Sequence, residues 1–65
     1  MNEIIQKMEE LEDLDRKYKF IHLEIYSDRT CGLTDMVNKP ITSWDSFNEQ
    51  EILSYLDQLI SEAKK

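Results

Sequence analysis

The sequence predicts an α+β fold in which two helices pack on one face of a small antiparallel sheet. Apolar residues recur every three or four positions at the start of the chain and alternate over residues 20–26, and a helix-start signal stands at residues 47–52. With 65 residues, one Gly and one Pro, the chain has the length and composition of a single folded domain, residues 1–65.

The first helix is predicted from an apolar stripe with helical spacing. Asp15 projects into the middle of this stripe, so we expect the helix to end or turn near residues 15–17, since the carboxylate would otherwise be buried. The stripe consists of Ile4, Ile5, Met8, Leu11, Leu14 and Tyr18.

A half-buried strand is predicted over residues 19–27, because the side chains alternate there. One face carries Ile21, Leu23 and Ile25, and the other carries Phe20, His22, Glu24 and Tyr26. The lone Gly32 in "SDRTCG" is expected to take a positive φ where the chain reverses into a hairpin.

Two further strands are predicted after this turn. The second runs over Leu33–Val37, and "NKP" then turns the chain into a short third strand over Ile41–Trp44, so the sheet is either a hairpin or a three-stranded meander. Pro40 cannot donate a ladder hydrogen bond, which assigns the last strand to an edge of the sheet.

The second helix is predicted to begin at Asn48, which can cap the first free amides while Glu51 completes a capping box and Phe47 packs on Ile52. Its apolar residues span about 160° of a helical wheel, against about 100° for contact with one core. This width predicts a second contact surface, an oligomer interface formed by Leu53, Leu56 and Ile60.

The net charge of −6, with 14 acids against 8 bases, disfavours direct binding to nucleic acid or to an anionic membrane. The same charge favours a protein partner with a basic surface. The sequence has no secretory leader and no apolar run of membrane-spanning length, and its single cysteine, Cys31, allows no internal disulfide. A cytoplasmic location is therefore predicted.

The acidic run "EELEDLDRKYK" is interpreted first as a solvated helix face. The pairs Glu12 with Arg16 and Asp13 with Lys17 have the i,i+4 spacing of helical ion pairs, as does the earlier pair Glu3 with Lys7. The acids left without such a counterion are candidates for partner binding: Glu9, Glu10 and Asp15.

Three aromatic residues are the other candidates for partner binding. Phe20, Tyr26 and Trp44 are difficult to bury together in a domain this small, and aromatic side chains anchor interfaces. For Trp44, packing beneath the second helix is the alternative.

No catalytic residue, metal site or cofactor is predicted. His22 and Glu24 share a strand face, but a metal site needs three or four ligands. Cys31 is predicted beside the hairpin bend, where nothing would lower the pKa of its thiol, although an exposed reactive thiol stays open. The sequence also lacks a phosphate loop, a nucleophile elbow and a zinc signature.

In size, charge and order of elements, the chain resembles the small acidic accessory proteins of bacterial viruses and mobile elements, among them anti-CRISPR and other anti-defence inhibitors. The resemblance implies a non-enzymatic protein that binds, and inhibits, a basic nucleic-acid-handling host protein. The alternative is a small homodimeric structural or regulatory module that uses its second helix as the interface.

Overall fold

A computed structural model describes residues 2–65 and has the predicted α+β architecture. Helix α1 (Asn2–Leu14) leads through a 3₁₀ turn (Arg16–Tyr18) into strands β1 (His22–Ile25), β2 (Cys31–Thr34) and β3 (Pro40–Trp44), and helix α2 (Glu49–Ala63) closes the chain. The strands form an antiparallel meander in the order β1-β2-β3, and the helices pack against this sheet.

Helix α1 ends at Leu14, as the position of the Asp15 carboxylate within the apolar stripe predicts. Asp15 takes an extended backbone conformation, and its carboxylate accepts a hydrogen bond from the Lys17 amide at 3.1 Å, which caps the 3₁₀ turn. Because the α-helix stops at Leu14, residues 16 and 17 leave the helical register. The predicted helical ion pairs of Glu12 and Asp13 are therefore wrong for residues 2–65, and Lys17 lies 3.9 Å from Asp15 instead.

The two hairpin turns have the same geometry. Each has a three-residue loop, residues 27–29 and 36–38, that contains a tight turn closed by a backbone hydrogen bond, Arg29 N–H to Tyr26 O and Asn38 N–H to Asp35 O, both at 3.0 Å. The left-handed position is filled by Arg29 (φ 74°) in the first loop and by Asn38 (φ 62°) in the second.

The turn role predicted for Gly32 is wrong. Gly32 has no positive φ and lies within β2, opposite Glu24 and Ser43. The second strand is correspondingly earlier than the predicted Leu33–Val37, because residues 35–39 are needed to close the second hairpin. The third strand is confirmed, with Pro40 as its first residue at an edge of the sheet.

The start of α2 is confirmed at Asn48, whose side-chain oxygen accepts a hydrogen bond from the Glu51 amide at 3.2 Å. Ion pairs join α2 to α1 in the same order along both helices, Lys7 to Asp57 at 2.6 Å and Glu10 to Lys64 at 3.8 Å. The two helices therefore run parallel, side by side on one face of the sheet.

The wide apolar face of α2 is used within the chain itself. Leu53, Leu56 and Ile60 are all buried in the core, and Leu56 has no exposed surface. A helix that packs on a sheet and on a neighbouring helix needs a wider apolar arc than one with a single contact. The predicted interface residues are thus core residues of one chain.

Candidate protein-binding surface

The sheet face opposite the helices carries a hydrogen-bond network centred on Glu24. Its carboxylate accepts from the Tyr26 hydroxyl at 2.9 Å and the Thr34 hydroxyl at 3.1 Å, and lies 2.9 Å from His22 Nε2. Register explains the grouping, because His22 stands opposite Thr34 and all four side chains lie on the same face of neighbouring strands.

This network holds Glu24 in its ionised form. The hydrogen bond from Tyr26, followed by those from His22 and Thr34, lowers the pKa of the Glu24 carboxyl below its usual 4.5. The same bond raises the pKa of the Tyr26 hydroxyl above 10.0. The outer face of β1 therefore presents a fixed negative charge rather than a proton donor at neutral pH.

The structure also bears on the reactive thiol and the metal site that were considered from the sequence. As predicted, Cys31 lies beside the first hairpin turn, but it is buried there as the first residue of β2, and burial raises the pKa of its thiol. The open alternative of an exposed reactive thiol is therefore wrong. Within residues 2–65, no three His, Cys, Asp or Glu side chains group as a metal ion requires.

One flank of α1 faces away from α2, on the β1 side of the sheet. Lys7 and Glu10 mark the side of α1 that faces α2, and Ile5, Glu9 and Glu12 lie on the opposite side at helical steps of four and three. Trp44 of β3 packs edge-to-face on Tyr55 of α2, with ring centroids 5.8 Å apart. Since α2 covers the β3 side of the sheet, its neighbour α1 covers the β1 side.

Phe20 connects this flank to the start of β1. Its amide donates a hydrogen bond to the Glu12 carboxylate, its φ is 62°, and 62% of the residue is exposed. A bulky residue is costly in the left-handed region, and a residue that is mostly exposed gains little packing to offset the cost. Lys19 Nζ lies 5.3 Å from the centre of the ring. The fold could use Gly or Asn here, so the aromatic side chain needs another explanation.

The far end of β1 is also apolar and exposed. Ile25 closes the strand with 55% of its surface exposed, and Ile5 near the start of α1 is exposed to 47%. Because β1 runs antiparallel to α1, both isoleucines lie at the same end of the molecule. We define the β1-side surface as Ile5, Glu9, Glu12, Phe20 and Ile25.

The six predicted partner-binding residues do not share one surface. Glu9 and Phe20 belong to the β1-side surface, and Tyr26 lies beside it, half exposed, at the end of β1. The other three make contacts within the chain. Glu10 pairs with Lys64, Asp15 caps the 3₁₀ turn, and Trp44 packs against the core.

Sequence reasoning missed three members of the β1-side surface. Helical spacing places Ile5 in the apolar stripe, strand alternation places Ile25 on the buried face, and i,i+4 spacing pairs Glu12 with Arg16, so the sequence patterns predict a binding role for none of the three. The available signal was the position of Ile5 at the margin of the helical stripe, four residues before the unpaired Glu9.

No protein-family model, curated protein or solved structure matches this chain. Among the described residues, no helix combines the length and apolar character needed to cross a bilayer.

Proposed function

We propose that this chain is a non-catalytic protein-binding module that recognises a basic partner through the β1-side surface. The observation that carries the proposal is Phe20, an exposed aromatic residue in a costly backbone conformation, whose amide is bonded to the Glu12 carboxylate. Aromatic side chains in such settings supply much of the binding free energy at interfaces.

Charge supports a basic partner. The chain has a net charge of −6, and Glu9, exposed on α1, has no ion-pair partner among residues 2–65. Glu24 adds a fixed negative charge on the adjoining face of β1. Complementary charge speeds association and selects against acidic partners.

The partner class that fits this chemistry is a basic nucleic-acid-handling protein in the cytoplasm. Covering its basic surface would exclude nucleic acid, so binding would inhibit it. An anti-CRISPR or other anti-defence inhibitor is the specific form of this proposal that the size and charge of the chain support. The homodimer alternative is weakened because Leu53, Leu56 and Ile60 are buried within one chain.

The test is affinity capture from a bacterial lysate with three baits, followed by quantitative mass spectrometry. The baits are the wild-type chain, Glu9→Lys and Glu62→Lys. Glu9→Lys changes the β1-side surface, and Glu62→Lys makes the same charge change at an exposed position of α2. We expect a basic protein to be captured by the wild type and by Glu62→Lys but to be depleted with Glu9→Lys.

The captured protein is then tested directly. Purified chain should displace a labelled oligonucleotide from it, and Glu9→Lys should displace less. Equal capture by all three baits, or capture that leaves nucleic-acid binding by the partner unchanged, would contradict the proposal. Capture that is unaffected by about 1 M salt would contradict the role of charge, since screening then acts within about 3 Å.

A further inference from the structure

The two edges of the sheet differ in how easily they can accept another strand. Strand β3 begins with Pro40, and its pairing with β2 is irregular between Leu33 and Thr34, where a bulge shifts the register. Prolines and bulges are devices that prevent further pairing at an edge. Strand β1 has neither, and its register with β2 is continuous over all four residues.

The hydrogen-bond pattern identifies the backbone groups that β1 leaves free. The Tyr26 amide donates to Thr30 O across the hairpin at 2.9 Å. Because residues of an antiparallel strand alternate in direction, Glu24 and His22 also bond towards β2. The amides and carbonyls of Leu23 and Ile25 therefore point outwards, and within residues 2–65 no strand pairs with that edge.

The side chains along this edge define what an added strand would meet. Ile25 lies on the helix side of the sheet, opposite the buried Cys31, and it is more than half exposed although it faces inwards. Glu24 lies on the opposite face as a carboxylate. An apolar position and an acidic position thus alternate along the edge.

We infer that β1 is a docking edge for an extended segment of the basic partner, which adds to the sheet as a fourth strand. This inference rests on the proposed function and names the kind of segment recognised. An apolar residue stands opposite Ile25 in a hydrogen-bonded pair. A Lys or Arg stands opposite Glu24 in a non-hydrogen-bonded pair, where facing side chains lie closest.

Charge favours a basic strand over a second copy of this chain. Each copy carries a net charge of −6, so pairing two copies edge to edge brings like charges together, whereas a basic strand reduces the charge. Backbone hydrogen bonds would supply affinity in this mode, and the alternating side chains would supply specificity.

The probe for the test is the capped heptapeptide KVKVKVK, compared with two N-methylated forms. In the inferred register the valine amides point at β1 and the lysine amides point away from it. Methylation of the valine amides is expected to weaken binding by about tenfold or more, since at least one backbone hydrogen bond is lost and a steric clash is added. Methylation of the lysine amides should leave the affinity within about threefold, because those amides make no bond to β1.

Calorimetry measures the affinities, and amide hydrogen exchange locates the contact on the protein. Peptide binding should slow exchange at Leu23 and Ile25 and leave exchange at the β3 edge unchanged. Equal affinity of the two methylated peptides, or no binding by any of the three, would overturn the docking edge. Protection of Leu23 and Ile25 that rises with protein concentration in the absence of peptide would also overturn it, since a second copy would then occupy the edge.

The two proposals fail in distinguishable ways. If capture depends on Glu9 while the methylated peptides bind equally, the β1-side surface is correct and strand addition is wrong. If the peptides discriminate as expected while Glu9→Lys captures the same proteins as wild type, strand addition stands and the proposed function is wrong.

Discussion

Replacement of Phe20 by Gly and by Ala separates the backbone cost at this position from the contribution of the ring. Both substitutions remove the ring and its contact with Lys19. Only Gly removes the penalty of the left-handed backbone at φ 62°, because Gly has no Cβ. Since the ring is absent from both variants, the difference in their stability measures the backbone penalty alone.

The expected difference follows from the observed backbone angle. A left-handed conformation costs a residue with a Cβ about 1–2 kcal/mol. Gly avoids this cost but loses about 0.5–1 kcal/mol of stability, because its unfolded chain has greater conformational freedom. Phe20→Gly should thus be about 1 kcal/mol more stable than Phe20→Ala. With a urea m-value of about 1 kcal/mol per M for a domain of this size, the unfolding midpoint should differ by about 1 M.

Urea unfolding followed by the fluorescence of Trp44, the single tryptophan, measures both midpoints. The matched control is the same pair of substitutions at Gln58, exposed within α2, where Gly should be about 1 kcal/mol less stable than Ala. If Phe20→Gly were also less stable than Phe20→Ala, the left-handed assignment and the interpretation of Phe20 as a costly binding residue would be refuted.

Three further predictions concern the core, the sheet face and the thiol. Leu56→Ala should lower the free energy of unfolding by about 2–5 kcal/mol, because Leu56 is fully buried. A domain this small has only a few kcal/mol of stability, so the cooperative urea transition should be lost. The lowered pKa of Glu24 stabilises the fold above the ordinary carboxyl pKa of 4.5, and this contribution is lost as pH falls through the lower pKa of the folded state. Glu24→Gln should therefore have a lower urea midpoint than wild type at about pH 7, with the gap closing at about pH 2–3. The Cys31 thiol, buried and with a raised pKa, should react with a disulfide reagent slowly in the folded protein and rapidly in urea, as a colorimetric time course would show.

Features of the fold that depend on a few neighbouring residues could be predicted from the sequence. The Asn48 cap and the break at Asp15 each follow from one side chain and the adjacent backbone. The turn was misplaced because Gly is the usual residue at a positive φ, whereas here Arg29 takes that conformation and Gly32 lies in the central strand. The hairpin closure that fixes Arg29 depends on pairing across the strands, which local residue preferences do not determine.

The candidate surface was predicted only in part because it combines elements that are distant in the sequence. Exposure of Phe20 and Tyr26 could be predicted, because a small domain cannot easily bury several large aromatic side chains. The grouping of Ile5 with Ile25 requires knowing which strand lies beneath α1. Glu10 pairs with Lys64 at the end of the neighbouring helix, and Asp15 caps a 3₁₀ turn, so the contacts of both depend on structure beyond α1.

The difference between the two sheet edges also limits the size of any assembly. A sheet with two open edges can be extended indefinitely, which is how edge-to-edge fibres grow. Pro40 and the adjacent bulge obstruct one side, so among the strands of residues 2–65 only β1 is left to accept another strand. Once that strand is in place, the four-stranded sheet has no second unobstructed edge of its own. Each chain therefore accepts one partner segment, because the opposite edge of its own sheet stays obstructed.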